Sequence, residues 1–191
     1  MKSLFLKLIA ACAISNAAFA ATYIHHENTP KPLFEGEESA KLKWVGFSAP
    51  DIHVGEGLKV ITGPGTEFNH AYPWCWLMGE SNASYISVQV DFSSQDLNQP
   101  WFLNIRQLSS IAGWNYSPIA IDVNSVNVVD HHHPLRDAWR VDSFAISPDL
   151  LHEGENTITI RLQDAYTNSW IENLILSPNH PMDIGVLHYQ N

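Results

Sequence analysis

The chain has 191 residues, and its 10 basic side chains are outnumbered by 20 acidic ones, for a formal charge of −10. That balance disfavours nucleic acid and anionic membrane as partners, because both repel an acidic surface. With 16% of residues charged and 45% apolar, the surface has to be built largely from Ser, Asn, Thr and Gln, which suits an exported all-β domain in contact with neutral polar ligands.

Residues 1–20 read as a cleavable signal peptide. Lys2 and Lys7 accompany an apolar centre at 8–14, and Ala18-Phe19-Ala20 supplies a small-x-small cleavage site. Ile9-Ala10-Ala11-Cys12 mimics a lipoprotein box, but a cut there leaves too short an apolar core. No later run of about 18 apolar residues follows, so no membrane insertion is expected, and the product is expected to be secreted, periplasmic or extracellular. Removing the first 20 residues leaves 171, with all 20 acidic and 8 of the 10 basic side chains, a formal charge of −12. That length suffices for one domain with its own core. Residues 21–40 read as an N-terminal arm, and 41–191 as a single domain. Cys75 is then the one cysteine left, so no internal disulfide is expected. Between Trp74 and Trp76 it reads as a buried, inert thiol, with no nucleophile motif around it.

The segment 22–40 is polar, with Pro30, Pro32 and Gly36, and His25-His26-Glu27 within it reads as solvated rather than metal-binding. Residues 42–47 are the first expected strand, 48–56 a loop and 57–62 the second strand. The connection 63–82 is longer than compact domains ordinarily tolerate without function, and it carries His70, Tyr72, Trp74 and Trp76. The cleanest strand is 84–92, with Ile86, Val88, Val90 and Phe92 on one face. Residues 101–108 follow as a strand, 109–116 as a loop with Gly113, Trp114 and Tyr116, and 119–123 and 126–129 as a hairpin around Asn124-Ser125. After a loop at 130–137, a strand containing Val141, Phe144 and Ile146 runs into Ser147-Pro148, a break that no strand interior tolerates. Asp149-Leu150-Leu151 makes a short turn and Gly154 a stop. Thr157–Gln163 then alternates, with Ile158, Ile160 and Leu162 on one side. Strands at 169–176 and around 184–188 complete the set. About eight to ten short strands, with no long helical periodicity and no repeat, predict an antiparallel β-sandwich.

Two stretches resemble the galactose-binding-like jelly roll of the carbohydrate-binding module superfamily. Phe144, Ile146, Leu150, Leu151, Gly154, Asn156, Ile158 and Ile160 match its pattern F-x-I/V…L-L-x-x-G-x-N-x-I-x-I, which joins two late strands. The run I-D-V-N-S-V-N-V-V at 121–129 stands where such modules have a V-x-V-N-G-x-x-V hairpin, with Ser125 in place of Gly, which leaves the turn type open. The resemblance implies the jelly-roll fold more firmly than it implies a function. A structural calcium is frequent in that group; no calcium-loop spacing is present here, so calcium stays unassigned and no cofactor is predicted.

In an antiparallel sandwich successive connections alternate between the two ends. One end receives 48–56, 93–100, 124–125 and 147–155, all small and polar. The other receives 63–82, 109–116, 130–137 and 164–168. That end gathers the residues predicted to contact carbohydrate: Tyr72, Trp74, Trp114, Tyr116, His132, Arg136, Asp137, Asp164, Tyr166 and Asn168. The C–H face of a pyranose packs on an aromatic ring, while its hydroxyls want forked or multi-donor partners such as Asp, Asn, Arg and His. Preformed loops on a rigid sandwich limit the ordering cost. Trp44, Trp101, Trp139 and Trp170 fall within strands and are expected to be core.

Asp130-His131-His132-His133 is the sharpest local oddity. Successive residues of an extended chain point opposite ways, so the triplet alone makes no facial ligand set. His131 and His133 would share a metal only if Asp130, His70 or Asp164 joined them. Asp130, Asp137 and Asp164 offer carboxylates at the same end, yet no motif isolates the pair, about 5–10 Å apart, that glycoside cleavage requires. There is no G-x-S-x-G, H-E-x-x-H or phosphate-cradling loop. The expectation is therefore a secreted, non-catalytic protein that binds a glycan or polysaccharide. Two alternatives from other classes are a secreted factor or adhesin binding a host or cell-surface protein through the same loops, and a small metal-dependent glycan hydrolase.

Overall fold

The computed structural model describes residues 21–23, 41–48, 51–55, 57–63, 66–68, 75–79, 84–109, 115–116, 118–134, 138–164, 167–179 and 181. Fourteen strands lie within them: β1 (Ala21–Tyr23), β2 (Lys43–Ser48), β3 (Asp51–Val54), β4 (Leu58–Thr62), β5 (Thr66–Phe68), β6 (Cys75–Gly79), β7 (Tyr85–Phe92), β8 (Trp101–Ser109), β9 (Asn115–Tyr116), β10 (Ile119–Val123), β11 (Val126–His132), β12 (Arg140–Ile146), β13 (Gly154–Leu162) and β14 (Thr167–Pro178). Short 3-10 turns lie at Asp96–Asn98 and Pro148–Leu150. No helix among them is long and apolar enough to cross a membrane.

The strands form two sheets, as the alternating patterns require. The first has the order β1-β4-β7-β13-β10-β11 and the second β12-β8-β14-β2-β3. Long β14 serves two neighbours along one edge: Thr167–Ile171 pair with β6, and Asn173–Leu176 with β2. All of these ladders are antiparallel; two-residue β9 pairs parallel to the start of β14. Ile86, Val88, Val90 and Phe92 of β7 and Ile158, Ile160 and Leu162 of β13 face Leu103, Ile105, Ile171, Leu174 and Leu176 of the second sheet in one core. The fold is an all-β sandwich. Trp101, fully buried, stacks edge-on against Phe92 at 5.0 Å between centroids, and its indole N–H donates to Asp96 O. Lys43 Nζ lies over both rings, snorkelling out between the sheets.

Several strands escape the sequence pattern. The loop expected at 48–56 contains β3, which pairs back on β2 with Val45 opposite Val54. The connection 63–82 contains β5 and β6, a hairpin with Thr66 opposite Leu77. Each is five residues or fewer and punctuated by Pro or Gly, too short for alternation to register. β1, inside the segment read as an arm, pairs with Val60–Thr62 of β4. Trp44 and Trp101 are buried as expected, but Trp139 and Trp170 are only half-buried and lie outside the inter-sheet core. The strand expected around 184–188 lies outside the described residues.

The turn left open at Asn124-Ser125 is a two-residue hairpin, with Val123 opposite Val126 and φ of 49° and 68° at its centre. Serine thus adopts the conformation that favours glycine, at a cost of about 1–2 kcal/mol. Glycine's own backbone entropy offsets part of that. Ser125→Gly is therefore expected to stabilise the domain by up to about 1 kcal/mol, a rise in Tm of about 2–4 °C. A fall in Tm by calorimetry would mean that the Ser125 side chain contributes contacts of its own.

Registers fix the two ends. β7 starts beside Thr62 and Arg161 and finishes beside Gly154; β10 runs with it, and β4, β11 and β13 run against it. In the second sheet Trp101, Ile146 and Pro178 share one end, and Ser109, Arg140 and Ser169 the other. Connections 55–57, 93–100, 124–125 and 147–153 therefore fall at the first end. Those at 63–65, 80–84, 110–118, 133–139 and 163–166 fall at the second. β5 and β6 enter as a pair, which preserves direction beyond them, and β3 reverses only the strand before it; within the pair, however, the chain leaves β5 at Phe68 and enters β6 at Cys75, opposite Ile171, so that part of the connection 63–82 departs from the predicted end. The start of the long connection is pinned at Gly63, whose N–H donates to Tyr85 O. A Cβ there would sit 2.3 Å from the Tyr85 ring, so only glycine fits.

Candidate functional site

At the second end, the inner face of the second sheet turns polar. In β12 the alternation Arg140, Asp142, Phe144, Ile146 points one way, and Ile146 and Phe144 belong to the core and its margin. The same period of two brings Asp142 inward. It is 6% exposed and collects donors from three strands. Gln107 Nε2 of β8 donates at 2.9 Å, His132 Nε2 of β11 lies at 3.0 Å, and Arg140 reaches Oδ1 through Nε at 2.6 Å and through Nη2. Burial alone pushes this carboxyl up, but the hydrogen bonds from His132, Gln107 and Arg140 outweigh it and hold the pKa down to about 2. Because β11 is the edge of the first sheet and β12 the edge of the second, the His132–Asp142 contact clasps the sandwich along its open side. The His132 ring also stacks edge-on against Phe144, with centroids 4.8 Å apart.

The aim of His132 comes from a bulge. Ile119 faces His132 and Ile121 faces Val129, so Asp130 and His131 together occupy the space opposite Ala120. His131 takes φ of 52° there. Without the extra residue His131 would turn inward; with it His132 does. β11 thus extends to His132, through part of what the sequence reads as a loop at 130–137. Asp130 and His131 are held on the outside by one side chain: the His131 N–H donates to Gln163 Oε1 at 2.7 Å, and Gln163 Nε2 donates to Asp130 Oδ1. The Gln163 and His131 contacts hold the Asp130 carboxyl below its ordinary value. Among the described residues no three His, Cys, Asp or Glu side chains converge on a metal position.

A second charged group lies on the other face of the same sheet. Between Ile171, opposite Gln107, and Asn173, opposite Arg106, β14 inserts Glu172 as a bulge. Glu172 is buried and ion-paired to Arg106 Nε, whose guanidinium lies 5.8 Å from the Trp139 ring centre. Burial raises the Glu172 pKa, and Arg106 only partly opposes it. A pair of this kind gives little net stability.

Of the predicted contact residues, His132 is described in full and is committed to Asp142. Asp164 is exposed at the second end, just after β13. Tyr116 lies in β9 and Asn168 in β14, directly paired with each other. Tyr72, Trp74, Trp114, Arg136, Asp137 and Tyr166 lie outside the described residues, as does His70. Of the metal candidates, Asp130 and His131 pair with Gln163, and His133 is exposed. The polar inward positions Asp142, Gln107 and Ser169 were missed, although a signal exists. Each falls two residues from an inward apolar residue: Phe144, Ile105 and Ile171.

No family model matches the chain, and no curated protein does. Solved structures of similar shape include carbohydrate-binding modules. A family 35 module from Clostridium thermocellum shares 14% identity over 72% of this chain and 92% of its own, with a TM-score of 0.41. A family 36 module in complex with calcium and xylotriose shares 18% over 82% of this chain and 99% of its own, at 0.42. The exo-β-1,3-galactanase of Phanerochaete chrysosporium, with β-1,3-galactotriose, shares 12% over 83% of this chain and 29% of its own, at 0.40. Scores of this size leave the assignment of the fold to the strand registers themselves.

Proposed function

We propose that the chain is a secreted, non-catalytic carbohydrate-binding domain that takes a neutral glycan at the second end of the sandwich. The observation that supports this reading most is the directional one. The segments carrying Trp114, Arg136, Asp137 and Tyr166 leave and rejoin the sheets at that end, while the opposite end has turns poor in aromatics; the segment carrying Tyr72 and Trp74 joins β5 to β6 at Phe68 and Cys75, away from it. Aromatic faces with forked polar groups, on a scaffold clasped by His132 and Asp142, suit a pyranose. The acidic balance of the chain disfavours anionic polysaccharides.

The test is a glycan array with the mature protein, run with calcium and then with chelator, followed by titrations with xylotriose and β-1,3-galactotriose. Defined hits are expected, and Trp114→Ala is expected to weaken them about 5- to 30-fold with unfolding unchanged, as removal of one stacking ring costs on the order of 1–2 kcal/mol. Loss of the hits with chelator would bring a metal into the site. A blank array with folded protein would overturn the reading in favour of a protein partner.

A further inference from the structure

The outer face of the first sheet is set out by its registers. Tyr85 of β7 lies opposite Arg161 of β13, which lies opposite Ala120 of β10. Two residues along, Ile61, Ser87, Thr159 and Asp122 form the next row across β4, β7, β13 and β10. Lys59, Gln89 and Thr157 form the row after that. Alternation turns all of them outward, because Val60, Ile86, Val88, Ile158 and Ile160 between them face the core. The face is open to solvent: the Lys59 side chain is 50% exposed and that of Arg161 38%.

The rows differ in height. The middle one is low, with the Ser87 and Thr159 hydroxyls hydrogen-bonded to each other at 2.7 Å. Tyr85 and Arg161 stand on one side of it, Gln89 and Lys59 on the other. Four residues of strand separate these walls, about 13 Å, so the face carries a shallow trough with a hydroxyl floor. The Tyr85 ring packs against Gly63, which fixes it while leaving it part-exposed. Arg161 Nε donates to Asp122 Oδ2 at 2.8 Å at one end of the trough, and Ile61 makes the other end apolar. Lys59 is paired with Glu155. Each cation of the trough is thus matched by a carboxylate, and neither an anion nor a cation is favoured. A protein partner would want apolar side chains at the centre of the patch, where this face has hydroxyls. A pyranose fits better: its C–H face against Tyr85 and Ile61, its hydroxyls toward the Ser87–Thr159 floor and the remaining N–H donors of Arg161.

We propose that this trough is a second glycan-binding surface, on the sheet face and separate from the loop end, which takes a ring of a neutral sugar against Tyr85 and over Ser87 and Thr159; this rests on the glycan reading above. Two surfaces on one domain hold a polymer at two points, so long chains bind more tightly than short ones.

The experiment is an NMR titration of the mature protein, as wild type and as Trp114→Ala, with whichever of xylotriose and β-1,3-galactotriose the wild type takes, or the strongest array sugar. The backbone amides of Tyr85, Ser87, Thr159 and Arg161 are expected to shift in both proteins, since the trough does not depend on the loops. Tyr85→Ala is expected to weaken the binding read at those amides about 5- to 30-fold. Thr159→Val, which keeps the size of the side chain and removes its hydroxyl, is expected to weaken it about fivefold. Tyr85→Ala also uncovers Gly63; if that variant does not fold, Thr159→Val decides, together with Tyr85→Phe, which keeps the ring and is expected to bind within about twofold of wild type. Unchanged affinity in a folded Thr159→Val would overturn the proposal. If the wild type binds no sugar, the glycan reading itself fails and the trough with it; if it binds and these four amides stay unmoved, only the trough falls.

Discussion

Asn156→Ala is expected to cost about 3 kcal/mol of stability and to lower Tm by about 6–12 °C. Asn156 is 1% exposed, at the joint between β12 and β13. Its Oδ1 accepts from Asn124 Nδ2 at 2.8 Å and from the His152 N–H at 3.0 Å. Its Nδ2 donates to His152 O at 2.7 Å and to Gly154 O at 2.8 Å. Alanine leaves those groups buried without their partner, and the cost of unmade bonds exceeds the net gain from made ones. The loss also spreads. Asn124 holds the β10–β11 hairpin to the same joint through Leu150 O and the Thr157 N–H. A double-mutant cycle with Asn124→Ala is accordingly expected to show coupling of about 1 kcal/mol or more. Urea unfolding of the four proteins measures it. Additive losses would mean that the two asparagines act separately and that the joint is held by Leu150 and Leu151 instead.

That network gives a physical meaning to a pattern read from the sequence alone. The asparagine of G-x-N and the asparagine of the hairpin touch, so the two stretches that resemble a jelly roll are one structural feature. Gly154 takes φ of 91°, which no other residue adopts easily, and it frees the chain to bring Asn156 beneath it. Period-two alternation carried β7, β8, β10, β12 and β13, because each has a buried and an outward face. β14 is buried along 171–178 on both faces, so its pattern shows as a plain apolar run. β3, β5, β6 and β9 are held by pairing rather than by pattern, and five residues or fewer give alternation nothing to repeat.

Strand direction sorts most connections between the two ends, because a missed pair of strands preserves direction beyond it; the turn inside the missed pair β5–β6 is the exception, and it turns away from the end the sequence predicts. The role of His132 was not legible. It depends on two register shifts in β11, one before Val129 and one at Asp130-His131, and each bulge reverses the inward sense of the residues beyond it. His132, predicted as a sugar contact, joins the two sheets through Asp142. Asp142, Gln107 and Ser169 were readable in principle, since a polar residue in phase with Phe144, Ile105 or Ile171 must face inward.

Asp142→Ala is expected to lower stability at neutral pH by about 3 kcal/mol, since removing one member of a buried charge cluster leaves its partners uncompensated. The loss sits at the low end for such clusters because Arg140 is half exposed and its attraction is screened. pH separates this from simple loss of packing. The Asp142 pKa is about 2 in the folded chain, against about 3.9 for an unfolded aspartate. Between those values the unfolded chain binds the extra proton. The contribution of the carboxylate is therefore complete above about pH 4 and is lost as the pH falls through about 2. Wild type and Asp142→Ala are expected to differ most at pH 5–7 and to converge toward pH 2, as followed by thermal unfolding across that range. Asp142→Asn, which keeps the shape and loses the charge, is expected to flatten the same acid limb. A gap between wild type and Asp142→Ala that stays constant down to pH 2 would mean that the clasp between β11 and β12 works through Phe144 packing and not through the carboxylate. In that case the His132 ring, stacked on Phe144, would hold the open edge as an aromatic and not as a hydrogen-bonding group.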